Sequence, residues 1–292
     1  MASIWPRLKS THPGLGRVER LDDWKAAETF ECYGLQIGVK VSKRGVLGEL
    51  RAFFPPGWRK SNAVLVDRLY SVRIAAGDKS PFHLLYANGK RIARSRTLKT
   101  IFDWFESDLH HFVAEANEGR IFVHAGVVGW NGRAIVMPGR SYSGKSTLVA
   151  ELVRQGATYY SDEFAVLDSR GRVHPWARPL AIRENGAAGK GTRYPVEAFG
   201  GKAGTRPLPI ALVVAFLYYQ RGASCRLTRL SPGNGVMALL EHTVAVRQKP
   251  ELALPILRLV ASRVPCFEGV RGEAKGTAGT LLHDFGSLVI QE

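Results

Sequence analysis

The sequence predicts a mixed α/β protein in which a small β-rich domain, residues 1–97, precedes a phosphate-loop domain, residues 98–292. Three observations carry that prediction. Residues 139–146 read Gly-Arg-Ser-Tyr-Ser-Gly-Lys-Ser, a complete G-x-x-x-x-G-K-[ST] loop whose backbone N–H groups can turn inward onto a polyphosphate. Two apolar runs joined by Asn131-Gly132 lead into it, so a β-hairpin stands where a doubly wound parallel sheet would place its first strand. Upstream, residues from about 28 to 95 show short alternating or β-branched runs broken by Gly, Pro and Asn turn signals.

In chain order, residues 1–20 are rich in Pro, Gly and charge and read as a loosely held lead-in. Runs at 33–41, 63–66, 70–74 and 82–86 read as strands, and 86–91 as a hairpin tip around Asn88-Gly89. Ile101, Phe105, Leu109 and Phe112 share one face of a helix at 98–116. His110 and His111 point about 100° apart on that helix, which suits surface residues better than joint metal ligands. A strand at 121–130 and its return at 133–137 enter the phosphate loop. An amphipathic helix at 147–153 leaves it and closes at Gly156. A strand at 157–160 runs into Ser161-Asp162-Glu163 and is expected beside the loop strand. Residues 164–167 and 172–173 form a second hairpin, and the fully apolar 210–217 a central strand. Helices are expected at 237–247 and 255–261, and loops at 201–204 and 232–235.

Composition narrows the function classes. No apolar run approaches the roughly 18 residues that span a bilayer, and the N-terminus lacks the apolar stretch of a secretory signal. Cys32, Cys225 and Cys266 form no C-x-x-C pair, which argues against a disulfide framework or zinc site and for a reducing, cytoplasmic setting. The net charge of +16 is uneven: residues 51–100 hold eleven Lys or Arg against two acids, and residues 201–250 seven against one. Such an excess is either a solvated basic face or a surface for an acidic partner. Neither an aromatic-interleaved RNA motif nor a helix-turn-helix or zinc-finger signature is present, so nucleic acid is the less favoured partner.

The loop defines a donor site. Gly139, Arg140, Ser141, Tyr142, Ser143, Gly144, Lys145, Ser146 and Thr147 supply the phosphate cradle; Lys145 reaches the β- and γ-phosphates and the Ser146 hydroxyl suits Mg²⁺. Phosphoryl transfer also needs acids for the metal and a carboxylate to take the nucleophile's proton. Asp162 and Glu163, sixteen residues beyond Ser146, are either that pair or an ordinary turn pair. His124 is either a packed strand residue or a neighbour of the transferring phosphate. Arg183 could neutralise phosphate, although one arginine in so basic a chain says little alone.

Taken together, these segments resemble the catalytic domain of the HPr kinase/phosphorylase family. His124-Ala-Gly-Val-Val128, the loop fifteen residues on and Asp162-Glu163 twenty-three residues after Gly139 match that family's H-G-V-L-V segment, glycine loop and D-D pair. Leu180-Ala-Ile-Arg183 is similar to its L-E-I-R-G signature, and Phe199–Arg206 to its F-G-A-G-A-V-R stretch. The likeness covers about 120–230 and leaves the N-terminal region outside. It implies a phosphoenolpyruvate carboxykinase-like fold, with Asp162 as the base that activates a serine, Glu163 and Ser146 at Mg²⁺, and His124, Arg183 and, less surely, Arg229 near phosphate or acceptor. The chain departs from the family at Ala181, where a glutamate is expected, at Glu184, which replaces a glycine, and at Glu163, which replaces the second aspartate. The later segment tied to phosphorolysis and HPr docking has no counterpart, which implies a divergent branch with kinase rather than phosphorylase activity.

The function expected is therefore transfer of the γ-phosphate of ATP, with Mg²⁺, to a serine or threonine hydroxyl of a small acidic protein or peptide. A small-molecule kinase and a non-catalytic ATP-binding regulatory module remain the alternatives. The family forms rings, so a homo-oligomer is an open expectation.

Overall fold

The structure, a computed structural model, describes residues 5–9, 24–77, 80–140, 143–182 and 191–283, and of 216–218 the backbone alone. It is a mixed α/β protein that divides into two units, Met1–Glu118 and Gly119–Glu292. No described helix is long and apolar enough to cross a membrane.

The first unit holds β1 (Arg7–Leu8), β2 (Ala26–Cys32), β3 (Leu35–Val41), β4 (Arg59–Ser61), β5 (Leu65–Val66), β6 (Arg68–Arg73), β7 (His83–Ala87) and β8 (Lys90–Ser95). β1 pairs with β5, and the others form a six-stranded sheet in the order β4-β2-β3-β6-β7-β8. Two helices, α1 (Arg44–Leu50) and α2 (Leu98–Ala116), complete the unit. Ile101, Phe105, Leu109 and Val113 of α2 are fully buried, and Phe105 meets the Tyr70 ring edge-on at 5.0 Å. That packing moves the domain boundary: α2 belongs to the first unit, and the division falls after Glu118 rather than before Leu98. His110 is also not a surface residue. It is buried at 2% exposure with Nε2 3.1 Å from the Phe53 carbonyl, whereas His111 is exposed and pairs with Glu115 at 3.0 Å. The strand read at 33–41 forms as β3 from Leu35, and Tyr33-Gly34 is the turn that joins it to β2. Most of the expected lead-in, residues 1–4 and 10–20, lies outside the described residues.

The second unit holds β9 (Ile121–Trp130), β10 (Arg133–Pro138), β11 (Thr158–Ser161), β12 (Phe164–Leu167), β13 (Arg172–His174), β14 (Leu180–Ile182), β15 (Thr192–Tyr194), β16 (Leu208–Tyr219), β17 (Arg226–Arg229) and β18 (Cys266–Arg271). Its helices are α3 (Lys145–Arg154), α4 (Pro232–Leu240), α5 (Pro250–Arg263) and α6 (Ala274–His283). The expected β9–β10 hairpin forms around Asn131-Gly132, at φ 47° and 77°. β10 runs parallel to β16, and β16 parallel to β18, with β17 antiparallel on the outer edge. β12 pairs with β9 and β13, and β13 reaches the start of β16, so the path β10-β9-β12-β13-β16 returns to β10.

Strand alternation divides this sheet between two cores. Ile135 and Met137 of β10 face α3 and α6, while Ala134 and Val136 face α4 and α5. Helices thus cover both faces of the sheet at the loop strand. Two local readings change. Residues 232–235 are the first turn of α4, not a loop, because Ser231 caps the helix through Oγ to Asn234 N (3.3 Å) and Pro232 occupies its first turn. α4 ends at Leu240 instead of extending to 247, and the helix expected at 255–261 begins earlier, at Pro250.

Candidate functional site

β10 ends at Pro138 and the chain turns through Gly139 and Arg140 to Ser143 and Gly144 before α3 begins at Lys145. Ser141 and Tyr142 lie outside the described residues. Gly144 sits at φ 78°, a left-handed conformation that glycine adopts without penalty, and caps the N-terminus of α3. Lys145 Nζ donates to the carbonyls of Gly139 (2.7 Å) and Arg140 (2.6 Å), across the mouth of the loop. Burial lowers its pKa to about 8, although Asp162 and Glu163 act to raise it. Gly126 of β9 lets α3 approach: a Cβ there would lie 2.7 Å from Val149 Cγ2.

The acid pair does not stand beside the loop strand, as expected from sequence. β11 and β12 both pair with β9, so β9 separates them from β10. Asp162 and Glu163 form the break between the two, at the level where β9 pairs with Met137 and Pro138. Ser161, 1% exposed, fixes the break by accepting from Glu163 N (3.0 Å) and Phe164 N (2.9 Å), and Ala125 N donates to the Glu163 carbonyl (3.1 Å). The Asp162 carboxylate accepts from Tyr159 Oη at 2.8 Å, with the Ser146 hydroxyl nearby. Burial pushes the Asp162 pKa up, while the Ser146 and Tyr159 hydroxyls pull it down. The Glu163 carboxylate instead forms an ion pair with Arg178.

The structure therefore brings Lys145, Ser146, Asp162 and Glu163 together. His124 contributes through its backbone: its carbonyl accepts from Gly139 N at 3.1 Å, and its ring packs 4.7 Å from Phe164. Thr147 is exposed on the first turn of α3. Arg183 and Glu184 lie outside the described residues, and Arg229 is exposed on the edge strand β17.

Several contacts escaped sequence reasoning. Tyr159 and Arg178 hold the two acids. The segment after α4 runs along β9, with His124 N donating to the His242 carbonyl (2.8 Å), and Arg140 pairs with Glu241 at 2.5 Å. The His242 pKa is lowered, chiefly by burial and further by Lys145 and Arg140, against the opposing charge of Glu241. Arg271, 6% exposed at the end of β18, donates from Nη2 to the Ser143 carbonyl at 2.9 Å. Arg178, Glu241, His242 and Arg271 carry no local motif, and only the fold brings them to the loop.

Among the described residues no group of three or more His, Cys, Asp or Glu side chains could hold a metal ion. The Ser146 hydroxyl and Asp162 carboxylate are neighbouring hard oxygen donors, a set that fits Mg²⁺ completed by phosphate oxygens and water. No protein-family model and no curated protein matches the chain.

Proposed function

We propose that this chain is an ATP-dependent phosphotransferase of HPr-kinase-like type, with a carboxykinase-like second unit, acting on a serine or threonine hydroxyl of a small acidic protein or peptide. The observation that carries the proposal is the buried Asp162 carboxylate set where it acts with Ser146 and Lys145 at the head of α3, with Glu163 next in sequence. A phosphate loop with a carboxylate beside its lysine and serine has the parts that hold a metal–polyphosphate complex.

The two acids exchange the roles that family likeness implies. Asp162 is engaged with Ser146 and Tyr159 and is placed for the Mg²⁺ side. The Glu163 side chain is 38% exposed, so an incoming hydroxyl can reach it, and Arg178 orients its carboxylate. Bound Mg²⁺ would neutralise charge on the β- and γ-phosphate oxygens. Lys145 releases the Gly139 and Arg140 carbonyls to meet the same phosphates, the loop amides bind the β-phosphate, and Glu163 takes the hydroxyl proton as the γ-phosphorus bonds to the acceptor oxygen and its bond to the β–γ bridging oxygen breaks, leaving ADP. Lys90, Arg91 and Arg94, exposed on the edge strand β8 and paired with no acid among the described residues, support an acidic acceptor. Cytoplasmic location follows from the same proposal.

A second possibility, a non-catalytic ATP-binding module, draws on Ala181, which supplies no carboxylate where the resembling family has one. Incubation with γ-labelled ATP separates the two. Label should pass to serine-containing acidic peptides and not to metabolites. Glu163→Gln should cut turnover by about 10²–10⁴-fold at unchanged ATP affinity, whereas Asp162→Asn should weaken the Mg²⁺ dependence. Tight MgATP binding with no transfer or hydrolysis would select the module instead, and transfer undiminished in Glu163→Gln would refute the base assignment.

A further inference from the structure

We infer that the ends of β16 and β18 form the shelf on which the base of the nucleotide stacks, with Tyr219 as its platform and Arg271 as the link to the phosphate loop. The inference rests on the phosphotransferase proposal and extends it to a nucleoside subsite. Strand order sets the direction. Asp162 and Glu163 lie on the β9–β12 flank of the loop strand, so the metal and reacting phosphate belong there. The nucleoside sits at the other end of the polyphosphate and must leave over the opposite flank. That flank is β16 and then β18, both parallel to β10, so their C-terminal ends open on the same side of the sheet as the loop.

Tyr219 and Arg271 are register partners at those ends. The Arg271 guanidinium lies over the Tyr219 ring, 5.3 Å from its centroid, and also donates to the Ser143 carbonyl at 2.9 Å. It is so close to Gly144 that a Cβ there would lie 2.2 Å from Nη2. One buried side chain therefore spans from the loop to the ring, a reach comparable to that from a β-phosphate to its base. Tyr219 is 46% exposed, unlike most aromatic residues of this unit, and its hydroxyl is tied down by donation to Glu273. With Arg271 against one face, the ring has its other face for a planar base. Base–aromatic stacking is sequence-tolerant, and here it would be reinforced from below by the guanidinium.

The test compares MgATP with magnesium tripolyphosphate, which carries the phosphates without a nucleoside, by calorimetric titration of the full chain. Tyr219→Ala should weaken MgATP by about tenfold and leave tripolyphosphate affinity unchanged. Tyr219→Phe keeps the ring but not the bond to Glu273, and should bind MgATP as the natural protein does. Equal weakening of both ligands, or no change for MgATP, would overturn the shelf. So would a natural protein that binds tripolyphosphate as tightly as MgATP, although the phosphate loop would then stand. Binding of neither ligand would remove the phosphotransferase proposal and the shelf with it.

Discussion

Lys145 Nζ lies 2.7 Å and 2.6 Å from two carbonyls of its own loop, and burial holds its pKa down to about 8. The acids across the site oppose that shift, so the depression reflects lost hydration outweighing two nearby negative charges. A bound polyphosphate adds negative charge and must raise the value. The sign of the resulting pH dependence follows from linkage. Below pH 8 the ammonium is protonated with or without ligand, and affinity is insensitive to this group. Above pH 8 the free protein loses the proton and the complex retains it, so binding takes up a proton and affinity falls. The slope should approach about tenfold per pH unit, up to the pKa of the complex. Dissociation constants for MgATP between pH 7.5 and 9.5 check this, and a flat profile would mean that Lys145 does not contact the phosphates. Asp162 carries the opposite shift: its carboxylate is enclosed and burial raises its pKa.

At the scale of elements, the close seat of α3 on β9 determines where the loop points. Gly126 makes that seat possible, since a Cβ would come 2.7 Å from Val149 Cγ2 and 3.8 Å from Lys145 Cβ. Gly126→Ala should destabilise the protein by about 1–3 kcal/mol and weaken nucleotide binding by moving the head of α3. Val149→Ala in the same chain should recover part of both losses, a coupling that denaturant titration of the double-mutant cycle would reveal. Independent, additive losses would mean that the two side chains do not set the approach. The β9–β10 hairpin and α2 are legible in sequence because each carries its own local signal, Asn131-Gly132 for one and a 3.6-residue apolar period for the other. The first turn of α4 is not legible, because Pro232-Gly-Asn-Gly235 reads locally as a loop. Its Gly235 answers to a tertiary demand, a Cβ there lying 2.9 Å from Cys266 Sγ. The site divides the same way. The loop and the acid pair are visible as motifs, whereas Arg178 and Arg271 reach them from a separate loop and strand with no fixed spacing, and Tyr159, on the strand that runs into Asp162, carries no motif of its own.

For the molecule as a whole, the boundary after Glu118 changes how the charge is read. Residues 1–97 hold eighteen Lys or Arg against eight acids, but α2 and the two residues after it bring five more acids and a single base, Lys99. The first unit is therefore nineteen against thirteen, and the second, at twenty-two against twelve, carries the larger excess. An acidic acceptor would thus be drawn to the phosphate-loop unit as well as to β8. The division also has a thermodynamic consequence. The first unit has its own aromatic core, where Phe30 stacks on Phe54 at 3.9 Å, and the second has a core on each face of its sheet. At 118 and 174 residues, each is long enough to bury a core of its own. Heating should therefore give two calorimetric transitions. The groups proposed to hold the phosphates all belong to the second unit, so MgATP should raise the midpoint of one transition and leave the other in place. At a ligand concentration of 100 times Kd, the stabilisation should be about 2.7 kcal/mol in that unit. A single transition that moves as a whole would show that the units unfold together, and their separate cores would then not be separate folding units.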